Sequence, residues 1–161
     1  MIQKTSILSV LMYVFERFTE FDGVTIESQD DSIVKEMLQA GFNVNDVENA
    51  LLWFSDLNHL LCESKSNKST QGAFRIYTDH ENNKLQAPAK QYLETLTHSN
   101  VIHASEREII LDRLMALNSG YIDTHDVKWV TMLVLFGASE GTQSIHLLDA
   151  LTSHETQLRK H

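Results

Sequence analysis

The residues best equipped for chemistry are the run Asp123-Thr124-His125-Asp126, the densest acid–histidine group in the chain. Such a group can ligate a divalent ion, but a zinc site needs three or four donors converging at about 2.0–2.2 Å. The same residues precede the apolar run Val127–Phe136. There Asp and Thr act as helix caps and answer the positive end of the helix dipole. Capping is therefore the expected role, and no metal ligand is assigned. His98 and His103 lie five residues apart across a connection, too loose for a motif, and His154 and His161 fall in a polar tail. There is no HExxH and no Cys–His set with zinc spacing.

Nucleophilic chemistry finds no better support. Cys62 follows Leu60-Leu61 in an apolar run and is expected to be a buried, inert thiol. As the sole cysteine it forms no internal disulfide, which points to a reducing compartment, the cytoplasm. No GxSxG, P-loop or GxGxxG is present. No catalytic residue and no cofactor are assigned, and the chain is expected not to be an enzyme. A metal-dependent hydrolase using His125 with distant acids is the weakest of three functional readings.

The elements that would position these residues are mostly helical. Ile7, Leu11, Val14, Phe15 and Phe18 have helical spacing within Thr5–Phe18. Glu16 and Arg17 follow its apolar run without a small-residue cleavage site, which favours an amphipathic helix over a signal peptide. No run reaches the roughly 18 apolar residues of a membrane span. Gly23–Ile26 reads as a short strand, and Asp30–Ala40 as a helix closed by Gly41. A third helix begins at Asn45, with Glu48 completing a capping box. Leu60–Glu63 is expected as a strand, Ser64–Gly72 as a polar loop and Ala73–Thr78 as a strand. Beyond residue 78 the pattern is helical. Thr78/Glu81 and Ser105/Glu108 have capping-box spacing, Pro88 suits a first helical turn, and the helix running to Phe136 is expected to stop at Gly137. Thr142–Leu158 is expected to be a last amphipathic helix.

The order helix, strand, helix, helix, strand, strand is that of a winged helix. The expected architecture is mainly α with a small β-sheet. A winged-helix-like lobe of three helices and three short strands, residues 1–78, packs on a bundle of about four helices, residues 79–161, as one compact unit.

Charge contradicts the DNA-reading role that this order suggests. The third helix occupies the reader position, yet residues 45–59 contain no Lys or Arg and carry Asp46, Glu48 and Asp56. A helix entering a phosphate-lined groove needs positive charge. Residues 1–62 hold three Lys or Arg against ten Asp or Glu, whereas residues 63–161 hold ten against twelve, within a net charge of −9. The expected wing carries Lys65, Lys68 and Arg75, candidate nucleic-acid contacts that would give only weak, salt-sensitive binding. Two tryptophans stand on surplus apolar surface: Trp53 on the spare side of the third helix, and Trp129 at the head of an eight-residue run with only Thr131 polar. Both are candidate anchors for a protein partner, with core packing as the alternative.

Several blocks together carry a resemblance. LMYVFERF, LxxAGFxxxDVxxALLWF at residues 38–54, FRIYT at 74–78, EREIILDRLMAL at 106–117 and DVKWVTMLVLF at 126–136 resemble the Smg family of bacterial proteins, in the family's order. The resemblance implies a small, cytoplasmic, mostly helical protein without an assigned activity or catalytic residues. It also implies a DNA-related context, because in many bacteria the family's gene lies near that of the DNA-processing protein DprA (also called Smf) and sometimes near topoisomerase-related genes. The expectation is a non-enzymatic interaction or accessory protein with an unidentified protein partner. Nucleic acid is disfavoured by the acidic third helix, no membrane is engaged, and self-association is left open.

Overall fold

The structure, a computed structural model, describes residues 7–19, 31–66 and 75–138. Seven helices occupy them: α1 Ile7–Thr19, α2 Asp31–Gln39, α3 Val44–Ser66, α4 Asp79–Lys84, α5 Ala87–His98, α6 Ala104–Met115 and α7 Thr124–Ala138. The capping signals explain most boundaries. Gly41, at φ 98°, ends α2, and the Phe42 N–H reaches back to the Met37 carbonyl. Thr78 and Glu81 form the expected capping box of α4, and Pro88 sits in the first turn of α5. Two starts differ by a residue or two from expectation. Asn43, not Asn45, caps α3, its Oδ1 accepting the Asn45 N–H at 2.9 Å. At α6 it is the His103 N–H that Glu106 accepts, rather than a pairing of Ser105 with Glu108.

The expected β-sheet is not there. Among the described residues no strand forms, and the only β pairing is an isolated parallel bridge between Leu85 and Ile122. Leu60–Glu63 continues α3. Leu57 and Leu61 are both buried one helical turn apart, and no Gly or Pro interrupts the chain between them. Among the described residues Arg75–Thr78 has no ladder partner, and one strand alone is not a sheet. The winged-helix lobe is therefore corrected to a helical assembly. The remaining strand expected at Gly23–Ile26, residues 67–74 of the loop and wing, and the helix expected at Thr142–Leu158 lie outside the described residues.

One hydrophobic cluster runs through the helices. It includes Val10 and Leu11 of α1, Met37 of α2, Trp53 and Leu57 of α3, Leu93 of α5, Ile110 and Leu114 of α6, and Val130 and Val134 of α7. Two helices are central to it. The long helix α3 packs on α1, α2, α6 and α7, while α7 packs on α1, α3, α5 and α6. This explains why α7 is apolar on almost every side. Its lone polar core residue, Thr131, satisfies its hydroxyl by donating to the Val127 carbonyl at 2.7 Å. The helix runs on through Gly137 to Ala138 instead of stopping at glycine. A Cβ at Gly137 would come within 2.8 Å of a Leu61 methyl, so the glycine serves the close approach of α7 to α3.

Candidate interaction surface

Trp53 and Trp129 have different surroundings. Trp53 is 3% exposed and belongs to the core. Its indole N–H donates to the Arg113 carbonyl at 3.0 Å, and Arg113 Nη1 donates to the Trp53 carbonyl at 3.2 Å. The guanidinium lies 5.6 Å from the indole centroid and also donates to the Asp112 carboxylate at 2.7 Å. The pair is a polar clasp between α3 and α6. Trp129 is half-buried near the start of α7, and its N–H donates to His125 Nε2 at 3.0 Å.

The acid–histidine group gathers at the same helix start. Donor atoms of Asp123, His125 and Asp126 lie within 4.8 Å of one another. Each also has a local role. Asp123 Oδ1 accepts the Asp126 N–H at 2.9 Å, Asp126 Oδ2 accepts the Asp123 N–H at 3.1 Å, and His125 Nε2 accepts the indole. This is a reciprocal cap, with Asp in both positions. Burial pushes the Asp126 carboxyl up, and the neighbouring Asp123 adds to the rise.

Of the three wing cations only Arg75 has a described side chain. Lys65 falls in the last turn of α3, with its side chain outside the described part, and Lys68 lies outside the described residues. Arg75 is committed to acids. It forms a fork on Glu81 at 2.6 and 2.8 Å, and Nε donates to Glu108 at 2.5 Å. Glu81 holds the guanidinium well above its ordinary value, and Arg75 in return holds the Glu81 carboxyl below the usual carboxylate range. Glu81 is itself buried. Its capping role was readable from spacing, but its pairing with Arg75 is tertiary and had no local signal. Tyr77 lies between Arg75 at 5.6 Å and Lys90 at 5.8 Å, and burial raises its phenol.

The outward face of α3 carries Val44, Glu48, Leu52, Asp56, His59 and Glu63, at spacings of three and four. Leu52 is 64% exposed. No Lys or Arg stands among the described side chains of this helix, so the face is apolar and acidic. Cys62 is exposed on the same helix, which corrects the expectation of a buried thiol. In a helix, burial of Leu61 turns its neighbour Cys62 away from the core.

Comparison with known proteins agrees with the residue pattern. A family model described as "Protein of unknown function (DUF494)" matches residues 7–161. A protein named Protein Smg homolog from Thioalkalivibrio sulfidiphilus is 31% identical over 148 residues, 92% of this chain and 93% of that one. One of the same name from Xanthomonas oryzae pv. oryzae is 35% identical over 133 residues, 83% of each chain. Another from Vibrio cholerae serotype O1 is 29% identical over 153 residues, 93% of this chain and 96% of that one. No solved structure matches. With a family model spanning nearly all of its length and relatives aligned over most of theirs, the chain belongs to the Smg family, DUF494.

Proposed function

We propose that this protein is a non-enzymatic interaction protein, an accessory that works through the outward face of α3. The observation that carries the reading is the composition of that face: Val44 and Leu52 exposed, Glu48, Asp56 and Glu63 beside them, and no Lys or Arg among the described side chains of the helix, the nearest cation being Arg113 of α6, 3.6 Å from Asp56. Apolar side chains in an acidic surround suit a partner with an apolar patch rimmed by Lys or Arg. The inward faces of the helix are taken by α1, α2, α6 and α7, and among the described residues this face is left uncovered. The DNA-related context implied by the Smg resemblance makes a DNA-processing protein of the cytoplasm the partner of choice. No helix among the described residues is long and apolar enough to cross a membrane.

Direct DNA contact is the weaker reading. Arg75 spends its charge on Glu81 and Glu108, and the α3 face would repel phosphates. A photocrosslinking amino acid at Leu52 tests the proposal in the native host. The expected result is a discrete protein adduct, lost when Glu48 and Asp56 are both changed to Lys. Tight binding of duplex or single-stranded DNA at physiological salt, retained by that double variant, would overturn the reading.

A further inference from the structure

Helices dock through rows of side chains, and α3 leaves one such row uncovered among the described residues. Val44, Glu48, Leu52 and Asp56 follow one another at i+4, and all four are exposed. Rows at this spacing are the ridges that interdigitate when two helices pack. Each step along the helix rises about 6 Å, so apolar and acidic groups alternate over roughly 18 Å. Beside Leu52 stand the small Ser55 and Leu51, which is half-buried against the core. A ridge with a small residue at its side leaves a groove for an incoming side chain.

The backbone decides what form of segment fits. Along the middle of α3 the N–H and C=O groups are spent within the helix, so this face offers a visitor no ladder to join. An extended segment laid across it would press unpaired amides of its own against Leu52, and a buried unpaired amide is costly. A helix arrives with its backbone satisfied and with side chains at the same 6 Å step, about one turn. Charge then sets the composition. Glu48 and Asp56 flank Leu52 in the row, and further along Glu63 stands 3.6 Å from His59. Arg113 of α6 reaches this row, 3.6 Å from Asp56 and 2.7 Å from Asp112. Its side chain is only 8% exposed, whereas those of Asp56 and Asp112 are 66% and 54% exposed. One buried guanidinium between two exposed carboxylates leaves the outer surface acidic.

We propose that the occupant of this face is an amphipathic helix of the partner protein, with apolar residues two turns apart and Lys or Arg on the turn between them and on the turn beyond. The proposal rests on the interaction reading above and names the form of the partner. Apolar side chains at i and i+7 or i+8 of that helix match the spacing of Val44 and Leu52. Its basic side chains at i+4 and i+11 reach Glu48, Asp56 and Asp112. A second copy of α3 does not meet the requirement. It has no Lys or Arg among its described side chains and would set carboxylates against carboxylates.

The test uses the full chain, labelled with 15N, and a synthetic peptide of about 16 residues, stapled on one side because so short a helix is marginal in water. The opposite side carries Leu at the third and tenth positions and Lys at the seventh and fourteenth, with Ala elsewhere. Amide shifts are expected along α3, largest from Glu48 to Asp56. An unstapled twin with two central prolines keeps the Leu and Lys residues but cannot form the helix, and it should bind about tenfold more weakly or worse. A stapled twin with Glu in place of Lys should lose affinity similarly. Leu52→Ser and Glu48→Lys in the chain should each weaken binding of the basic helix with an unchanged circular dichroism spectrum, because both side chains are exposed. Equal binding of the proline twin would overturn the helical partner and leave the interaction reading standing. Equal binding of the acidic twin, shifts that fall away from α3, or no shifts at millimolar peptide would also overturn the proposal. The Leu52 adduct expected in the host decides the interaction reading separately.

Discussion

Glu81 carries two duties, accepting from the Thr78 backbone as a cap and from the Arg75 guanidinium as a counter-ion. Its folded carboxyl is depressed, with the Arg75 hydrogen bond the leading cause. A depressed acid gives stability that is complete above its unfolded pKa, about 4.3, and is lost as pH falls through the folded value. The expected outcome is that Glu81→Gln costs about 1–3 kcal/mol at pH 7. The variant should also lose stability less steeply than wild type between neutral and strongly acidic pH. Urea unfolding across that range measures both, and parallel pH curves would refute the link. The tryptophans permit a second comparison. Trp53→Phe removes the donor to the buried Arg113 carbonyl and should cost roughly 1–3 kcal/mol. Trp129→Phe breaks a bond to the exposed His125 and should cost less. The two urea midpoints decide it.

Helix ends and helix crossings set the next scale, and each turns on a glycine. Gly41 has φ 98° and nothing within 4 Å of where a Cβ would stand, so Gly41→Ala meets only the backbone cost of the left-handed conformation, about 1 kcal/mol. At Gly137 the obstacle is instead the methyl of buried Leu61, 2.8 Å from a Cβ at the α3–α7 crossing. There Gly137→Val should destabilise by about 1–3 kcal/mol through overpacking, and Leu61→Ala in the same chain should relieve part of it. Thermal melts of the single and double variants measure the coupling. Gly41 shows what the sequence made legible: caps, turns and apolar periodicity are local, and they located α1, α2, α5, α6 and α7 within a few residues, and of α4 only the capping box at its start. The sheet failed because strand and helix compete for short apolar runs. Leu60-Leu61-Cys62 suits either, and the burial of Leu61 against α7 decides for helix. Site residues divided the same way. The Asp123/Asp126 cap was legible from spacing, whereas the Arg75–Glu81–Glu108 group and the Trp53–Arg113 clasp join residues distant in sequence.

At the scale of the molecule, α3 is the shared wall. It contacts α1 and α2 on the N-terminal side of the chain and α6 and α7 on the other, and α1 itself touches α7. A boundary near residue 78 would therefore cut through packed surface instead of a linker. We propose that residues 1–78 and 79–161 fold as one cooperative unit. The place to test this is Leu57, 3% exposed within α3. Leu57→Ala should cost about 2–5 kcal/mol by opening a cavity there. In one unit that loss is felt everywhere, so hydrogen-exchange protection should fall by the same free energy in α1 as in the core amides of α5 and α7. If α5 and α7 keep their wild-type protection while α1 loses its own, the two halves are separate energetic units, and α3 belongs to the first alone. Equal loss would mean that the acidic face of α3 stands on a helix braced from both sides of the chain. A partner docking there would then meet a preformed surface and stabilise the whole chain, not one lobe.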